Sequence, residues 1–219
     1  MKKALRVAAS LLVGLVVLTI FTLRLTGLEP DYVDPSSEQF ARQNRIARPG
    51  LWLKGEVVHE PVTNWDWVSK VRDPIRKNTI MIETKTWYGI PHSVTTGVVG
   101  RGDKLYVHGH QDENRMAKQF PYDKTWTANV ARDPRVRMKI GGKLYEMTLV
   151  LITDRAEVAQ IMGRDPETRV KGPDGQEHVK EVMHYWRVFQ RNVPEYGSGA
   201  KAGATDAPIS PGYRGPSEH

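Results

Sequence analysis

With 219 residues, 39% hydrophobic and 26% charged, the chain has room for one globular domain with appendages. Its net charge of +7 comes from basic residues interleaved with acids, not gathered in runs, which reads against nucleic acid and leaves anionic ligands or a membrane surface as candidates. There is no cysteine, which excludes disulfides, thiolate nucleophiles, Cys-ligated zinc and iron–sulfur clusters; no G-x-S-x-G, H-E-x-x-H or P-loop supports a hydrolase or a nucleoside triphosphatase.

At the N-terminus, Lys2, Lys3 and Arg6 precede an uncharged run from Val7 to Leu23. That run sits at the lower limit for crossing a bilayer as a helix, and Leu25 to Leu28 extend it if Arg24 snorkels to the interface. "LRLTGLEP" offers no A-x-A-like cleavage site, so an uncleaved anchor over residues 1–28 is preferred to a signal peptide. The basic flank would stay in the cytoplasm, giving a single-pass inner-membrane protein with its C-terminal domain outside, in a periplasm where one exists. Residues 29–50 read as a polar, Pro-flanked linker with a short helix in "SSEQFARQNRIA", and residues 194–219 as a disordered tail rich in Gly, Pro, Ala and Ser. The folded body is therefore predicted over 51–193.

Within that body the signals are mostly those of strands. "LWLKGEVVHEPV" opens with an apolar, β-branched run; "NTIMIETKT" alternates Ile80, Ile82 and Thr84 against Met81 and Glu83; "HSVTTGVV" is β-branched throughout. "GRGD" then turns the chain into "KLYVHGH", predicting a hairpin. Trp126 and Val130, four apart and ended by Asp-Pro, predict a short helix. Gly141-Gly142 as a two-residue primed turn pairs Ile140 with Lys143, Met138 with Tyr145, Arg137 with Glu146, Val136 with Met147 and Arg135 with Thr148. This register collects Val136, Met138, Ile140, Tyr145, Met147 and Leu149 on one face and the charges on the other, with Leu144 the apolar exception. Asp154 reads as the N-cap of a helix in "RAEVAQIMG", and "HVKEVMHYWRVF" as a second helix with Val179, Val182, Met183, Trp186 and Phe189 along one stripe.

Lys85, Ser93 and Thr95 form a candidate anion cradle, since cations and hydroxyls converging on one spot suit a phosphate; the bland alternative is an exposed strand face. His108-x-His110 has a spacing that could ligate a metal or haem iron, without a compact third ligand nearby. Trp126 and Asn129 share a helix face, either to anchor that helix or to touch a ligand. "NWDW", residues 64–67, reads as aromatic packing plus a turn, with part of a cofactor wall as the alternative.

The order of these segments, "IMIETKTWYGIPHSVTTGVVGRGDKLYVHGH" followed by "KTWTANVARDPRVRMKIGGKLYEMTLVLITD", resembles the pyridoxamine-phosphate-oxidase-like split β-barrel superfamily, nearest its deazaflavin-dependent nitroreductase-like branch. The resemblance covers residues 78 to 155. It implies a mainly β fold with helices (α+β), a split barrel of about six to seven antiparallel strands with a short helix and a C-terminal helix, and a homodimer with its cofactor at the interface. By the same resemblance FMN or the deazaflavin F420 would be held by Thr84, Lys85, His92, Ser93 and Thr95, with backbone groups around His108 and Gly109 near the ring; Trp126 and Asn129 complete the candidate cofactor contacts. The implied function is a membrane-anchored oxidoreductase-like protein acting on a small organic acceptor such as a quinone or nitro compound. The bulky "TWYGIPH" turn keeps open a non-catalytic envelope protein with a degenerate barrel, binding haem if any tetrapyrrole, or a structural subunit of a membrane complex.

Overall fold

A computed structural model describes residues 2–30, 50–71, 79–111, 126–173 and 175–191. The linker helix in "SSEQFARQNRIA" and the C-terminal tail lie outside the described residues.

Alternating β-branched and apolar residues produce seven strands: β1 (Thr79–Lys85), β2 (Pro91–Arg101), β3 (Lys104–Gln111), β4 (Arg135–Ile140), β5 (Lys143–Leu151), β6 (Glu167–Lys171) and β7 (Glu177–Gln190). They hydrogen-bond in the order β3-β2-β1-β4-β5-β7-β6, and β3 also pairs with β7. That last pairing closes β1, β2, β3, β7, β5 and β4 into an antiparallel barrel and leaves β6 as a flap on the first half of β7. Closure removes the open edges that a half-buried sheet would expose. The mainly β fold class with accompanying helices is as anticipated.

The Gly141-Gly142 hairpin has the anticipated register, from Ile140 opposite Lys143 to Arg135 opposite Thr148. Both glycines have positive φ, 58° and 81°, which a primed two-residue turn requires. All six apolar residues assigned to one face of this hairpin are in the main core, with Ile80, Ile82, Val98, Leu105 and Val107 from β1 to β3. The β2–β3 hairpin and the short helix α2 (Trp126–Arg132) also form as anticipated. Helix α3 (Arg155–Met162) begins at Asp154, whose carboxylate accepts from the Ala156 N–H at 2.9 Å, and ends at Gly163 in the left-handed region.

Two segments differ from their sequence reading. "HVKEVMHYWRVF" is not a helix but the body of β7. Trp186 and Val188 face the barrel core, while Met183 and Tyr185 pack outward with Val158 and Ile161 of α3. A strand covered on both faces needs no apolar–polar alternation, so its apolar residues also fit a helical stripe. "LWLKGEVVHEPV" is not a strand either. Residues 50–58 run as a strap over the barrel exterior, joined by isolated bridges from Gly50 to Ser93 and from Val57 to Leu144. The strap explains the apolar exception: Leu144 is buried with Leu53 and Met81 beneath it.

The "NWDW" residues open a single 3-10 turn (Asp66–Lys70) that caps one end of the barrel. Trp65 is buried edge-on against Tyr145 at 5.7 Å, and its N–H donates to the Gly102 carbonyl. Helix α1 (Lys2–Thr26) is long and apolar enough to cross a membrane and is exposed along its length. It ends at Gly27, and the next residue is tied to the strap by reciprocal bonds, Leu28 N–H to the Trp52 carbonyl and Leu51 N–H to the Leu28 carbonyl.

Candidate functional site

Of the eight residues singled out in the sequence, six divide between the two faces of one sheet and two, Trp126 and Asn129, lie on α2. Directly paired residues project to the same side. Thr84 pairs with His92, and Thr84 follows Ile80 and Ile82 along the interior row of β1. Glu83 pairs with Ser93, Met81 with Thr95 and Lys85 with Pro91, placing Lys85, Ser93 and Thr95 on the exterior. His108 is also exterior, because its neighbours Leu105 and Val107 occupy the core.

The interior group gathers at the end of the barrel closed by α2. Asn129 is completely buried, and its Nδ2 donates to Thr84 Oγ1 at 2.9 Å while its Oδ1 accepts from the Arg132 guanidinium. The Thr84 hydroxyl in turn donates to the His92 carbonyl at 3.3 Å. Trp126 meets Trp186 at a tilt, ring centres 4.9 Å apart, and lies against Gly109, where a Cβ would come within 2.7 Å of the indole. These contacts fasten α2 to the barrel. Burial holds His92, and also His184 on β7, below the usual imidazole pKa.

On the exterior, Lys85 is exposed beside the β1–β2 turn, where Trp87 and Tyr88 are exposed and meet edge to face at 5.2 Å. Ser93 is fully buried beneath the strap: a Cβ on Gly50 would lie 2.2 Å from its hydroxyl. Only glycine lets the strap approach so closely. The His108 ring lies across Gly97, where a Cβ would sit 2.2 Å from it, and stacks on Tyr185 at 5.2 Å. Of the histidine pair, His108 is therefore engaged in packing. Among the described residues no group of three His, Asp or Glu side chains could hold a metal.

The barrel's unsatisfied polar atoms are concentrated on one strand. His92 Nδ1, Ser93 Oγ and Thr95 Oγ1 are buried without a hydrogen-bond partner among the described residues. Buried polar atoms in native proteins are paired with protein, water or ligand, so three on neighbouring positions of β2 mark it for an additional binding group. The two hydroxyls share the exterior with Lys85 and the imidazole faces inward, so no single ligand atom could meet all three.

The sequence reading missed Glu83. This carboxylate is 8% exposed, and its Oε2 accepts from the Leu53 N–H of the strap at 2.7 Å. Its Oε1 faces Arg137 at 3.6 Å. Burial raises its pKa, opposed by the Leu53 hydrogen bond and Arg137. Arg137 stands opposite Glu146 on β5, as the hairpin register implied, but also opposite Glu83 on β1. Only the non-local β1–β4 pairing discloses the second partner. The one sequence signal was an acid alternating with apolar residues in a strand.

No family model matches the chain, and no curated protein matches it. Among solved structures, one similar chain is a pyridoxamine 5'-phosphate oxidase-related, FMN-binding protein from Nostoc punctiforme, at 12% identity and a TM-score of 0.28, covering 52% of this chain and 71% of that one. So loose an overlap decides nothing about the fold, which rests on the strand pairings themselves.

Proposed function

We propose that this chain is a membrane-anchored split-barrel protein of the pyridoxamine-phosphate-oxidase-like type, binding a flavin or deazaflavin on the exterior of β2 and passing electrons or hydride to a small organic acceptor. The unpaired buried hydroxyls of Ser93 and Thr95, on the face that also carries Lys85, are the observation that carries this reading. Of the residues present, Lys85 and Thr95 fit an anionic cofactor group, one as a cation and one as a hydroxyl without a partner among the described residues. Ser93 joins them only if Gly50 lifts from it. The exposed Trp87–Tyr88 pair beside Lys85 gives a planar ring an apolar surface. Thr84, Trp126 and Asn129 serve by closing the barrel end behind β2. The cofactor, when bound, supplies the redox chemistry; the chain supplies anion anchoring, ring orientation and exclusion of water. A homodimer would complete the outer wall of the site.

A second reading has an observation of its own. The strap roofs Ser93, and Glu83 stands in the same cross-strand row, where a carboxylate opposes a phosphate. A barrel whose exterior site has been closed in this way would be a non-catalytic envelope protein. Full-length protein purified in mild detergent separates the two: a flavin-like absorbance band with a matching mass in the denatured supernatant supports the first. No co-purifying chromophore, and no uptake of added FMN or deazaflavin, supports the second.

A further inference from the structure

Away from the β2 row, the last turn of α1 brings Arg24 beside the strap and the exterior of β1, β4 and β5. Arg24, Trp52, Lys54, Glu83, Arg137 and Glu146 line a cleft of about 530 Å³, open on one side, within the size range of small-ligand sites. Its floor carries one guanidinium against two carboxylates, and the rim cation Arg24 also acts on Glu83. Arg137 faces Glu83, Glu83 is also held by the Leu53 N–H, and Glu146 stands opposite Arg137 in the register. The rim is different: Arg24 and Lys54 are both exposed. Lys139, another cation on this face, is paired with Glu29.

The level of the cleft follows from α1, and so rests on reading that helix as a membrane span. From Val7 to Leu23 the uncharged helix rises about 26 Å at 1.5 Å per residue, slightly less than a hydrocarbon core of about 30 Å. Arg24 is then held where hydrocarbon gives way to lipid phosphate, and the cleft opens at that depth. Trp52, half-buried on the same rim, has the amphipathic ring favoured in this zone.

We propose that this cleft is a site for the phosphate of an anionic phospholipid headgroup, recognised by Arg24 and Lys54, with Arg137 behind them. Lipid bound there would bridge the membrane helix and the barrel and fix the barrel's orientation to the bilayer.

The test uses full-length protein in a non-ionic detergent, titrated with phosphatidylglycerol or phosphatidylcholine and read by native mass spectrometry. One phosphatidylglycerol should be retained about tenfold more tightly than phosphatidylcholine. Arg24→Gln with Lys54→Gln should abolish that preference, Arg24→Lys with Lys54→Arg should keep it, and Lys70→Gln, an exposed cation on the capping turn, should leave it unchanged. Equal retention of the two lipids, a preference that survives the double glutamine variant, a Lys70→Gln effect as large, or displacement of the lipid by soluble glycerol phosphate would each overturn the site. Alkaline carbonate washing of cell membranes tests the underlying span separately. If the chain is extracted, the membrane reading falls and the lipid site with it; if it stays while lipid preference is absent, the site alone falls.

Discussion

Asn129 concentrates the most consequence in one side chain. It is fully buried, donates to Thr84 and accepts from Arg132, so Asn129→Ala takes a donor from the buried Thr84 hydroxyl and leaves a cavity. A buried polar group deprived in this way costs about 1–3 kcal/mol, and we expect a clear fall in the thermal midpoint of the full-length protein in detergent. Thr84→Val should lower the midpoint as well, because it strands the fully buried Asn129 Nδ2 donor. His92 and His184 set a pH dependence of known sign. Burial depresses both pKa values in the folded state, so the unfolded chain takes up protons that the folded chain refuses. Their contribution to stability is present above about pH 6.5 and is lost as pH falls through the depressed folded values. The thermal midpoint should decline on acidification over that range, and His92→Phe with His184→Phe should flatten the decline. A wild-type midpoint that rises on acidification would contradict this assignment.

Among the elements, the hairpins and the strap make the sharpest demands. Gly142 turns at φ 81° with open space around it, so Gly142→Val is a test of backbone strain free of steric clash. We expect a loss of about 1–2 kcal/mol in stability. Gly100→Ala is a test of packing instead: its Cβ would come within 2.0 Å of the Trp65 carbonyl, backbone that cannot swing aside, so the 3-10 cap must lift. The expected cost is about 1–3 kcal/mol, seen as earlier unfolding and a rise in tryptophan emission wavelength. These positions also indicate which elements the sequence could disclose. The β4–β5 hairpin was legible to single-residue register because its turn glycines and its one-sided burial agree. β7 was not, since burial on both faces erased its period, and with it the inward position of His184 was lost. The strap was misread because an extended segment that crosses a sheet carries the same β-branched residues as one that joins it. Glu83 belongs with these non-local features: its partners lie at Leu53 and Arg137, and no local pattern links the three.

For the molecule as a whole, a closed barrel is tied through Leu28, Trp52 and the strap to a helix long enough to cross a bilayer. If that helix spans a bilayer, the Leu28–Trp52 and Leu51–Leu28 bonds would hold the barrel near the membrane surface. The candidate positions were only partly legible from sequence. Five of the eight lie on β1 and β2, but strand alternation sends Thr84 and His92 inward and Lys85, Ser93 and Thr95 outward, a division that became plain only once the core had been located. Whether the outward set holds a redox cofactor is decided most directly by titrating FMN and a deazaflavin into full-length protein in detergent, alongside Thr95→Val and Lys85→Gln. Saturable uptake of one of them, weakened about tenfold by either substitution, is the result a β2 cofactor site requires. No uptake of either cofactor, or uptake indifferent to both substitutions, would contradict it.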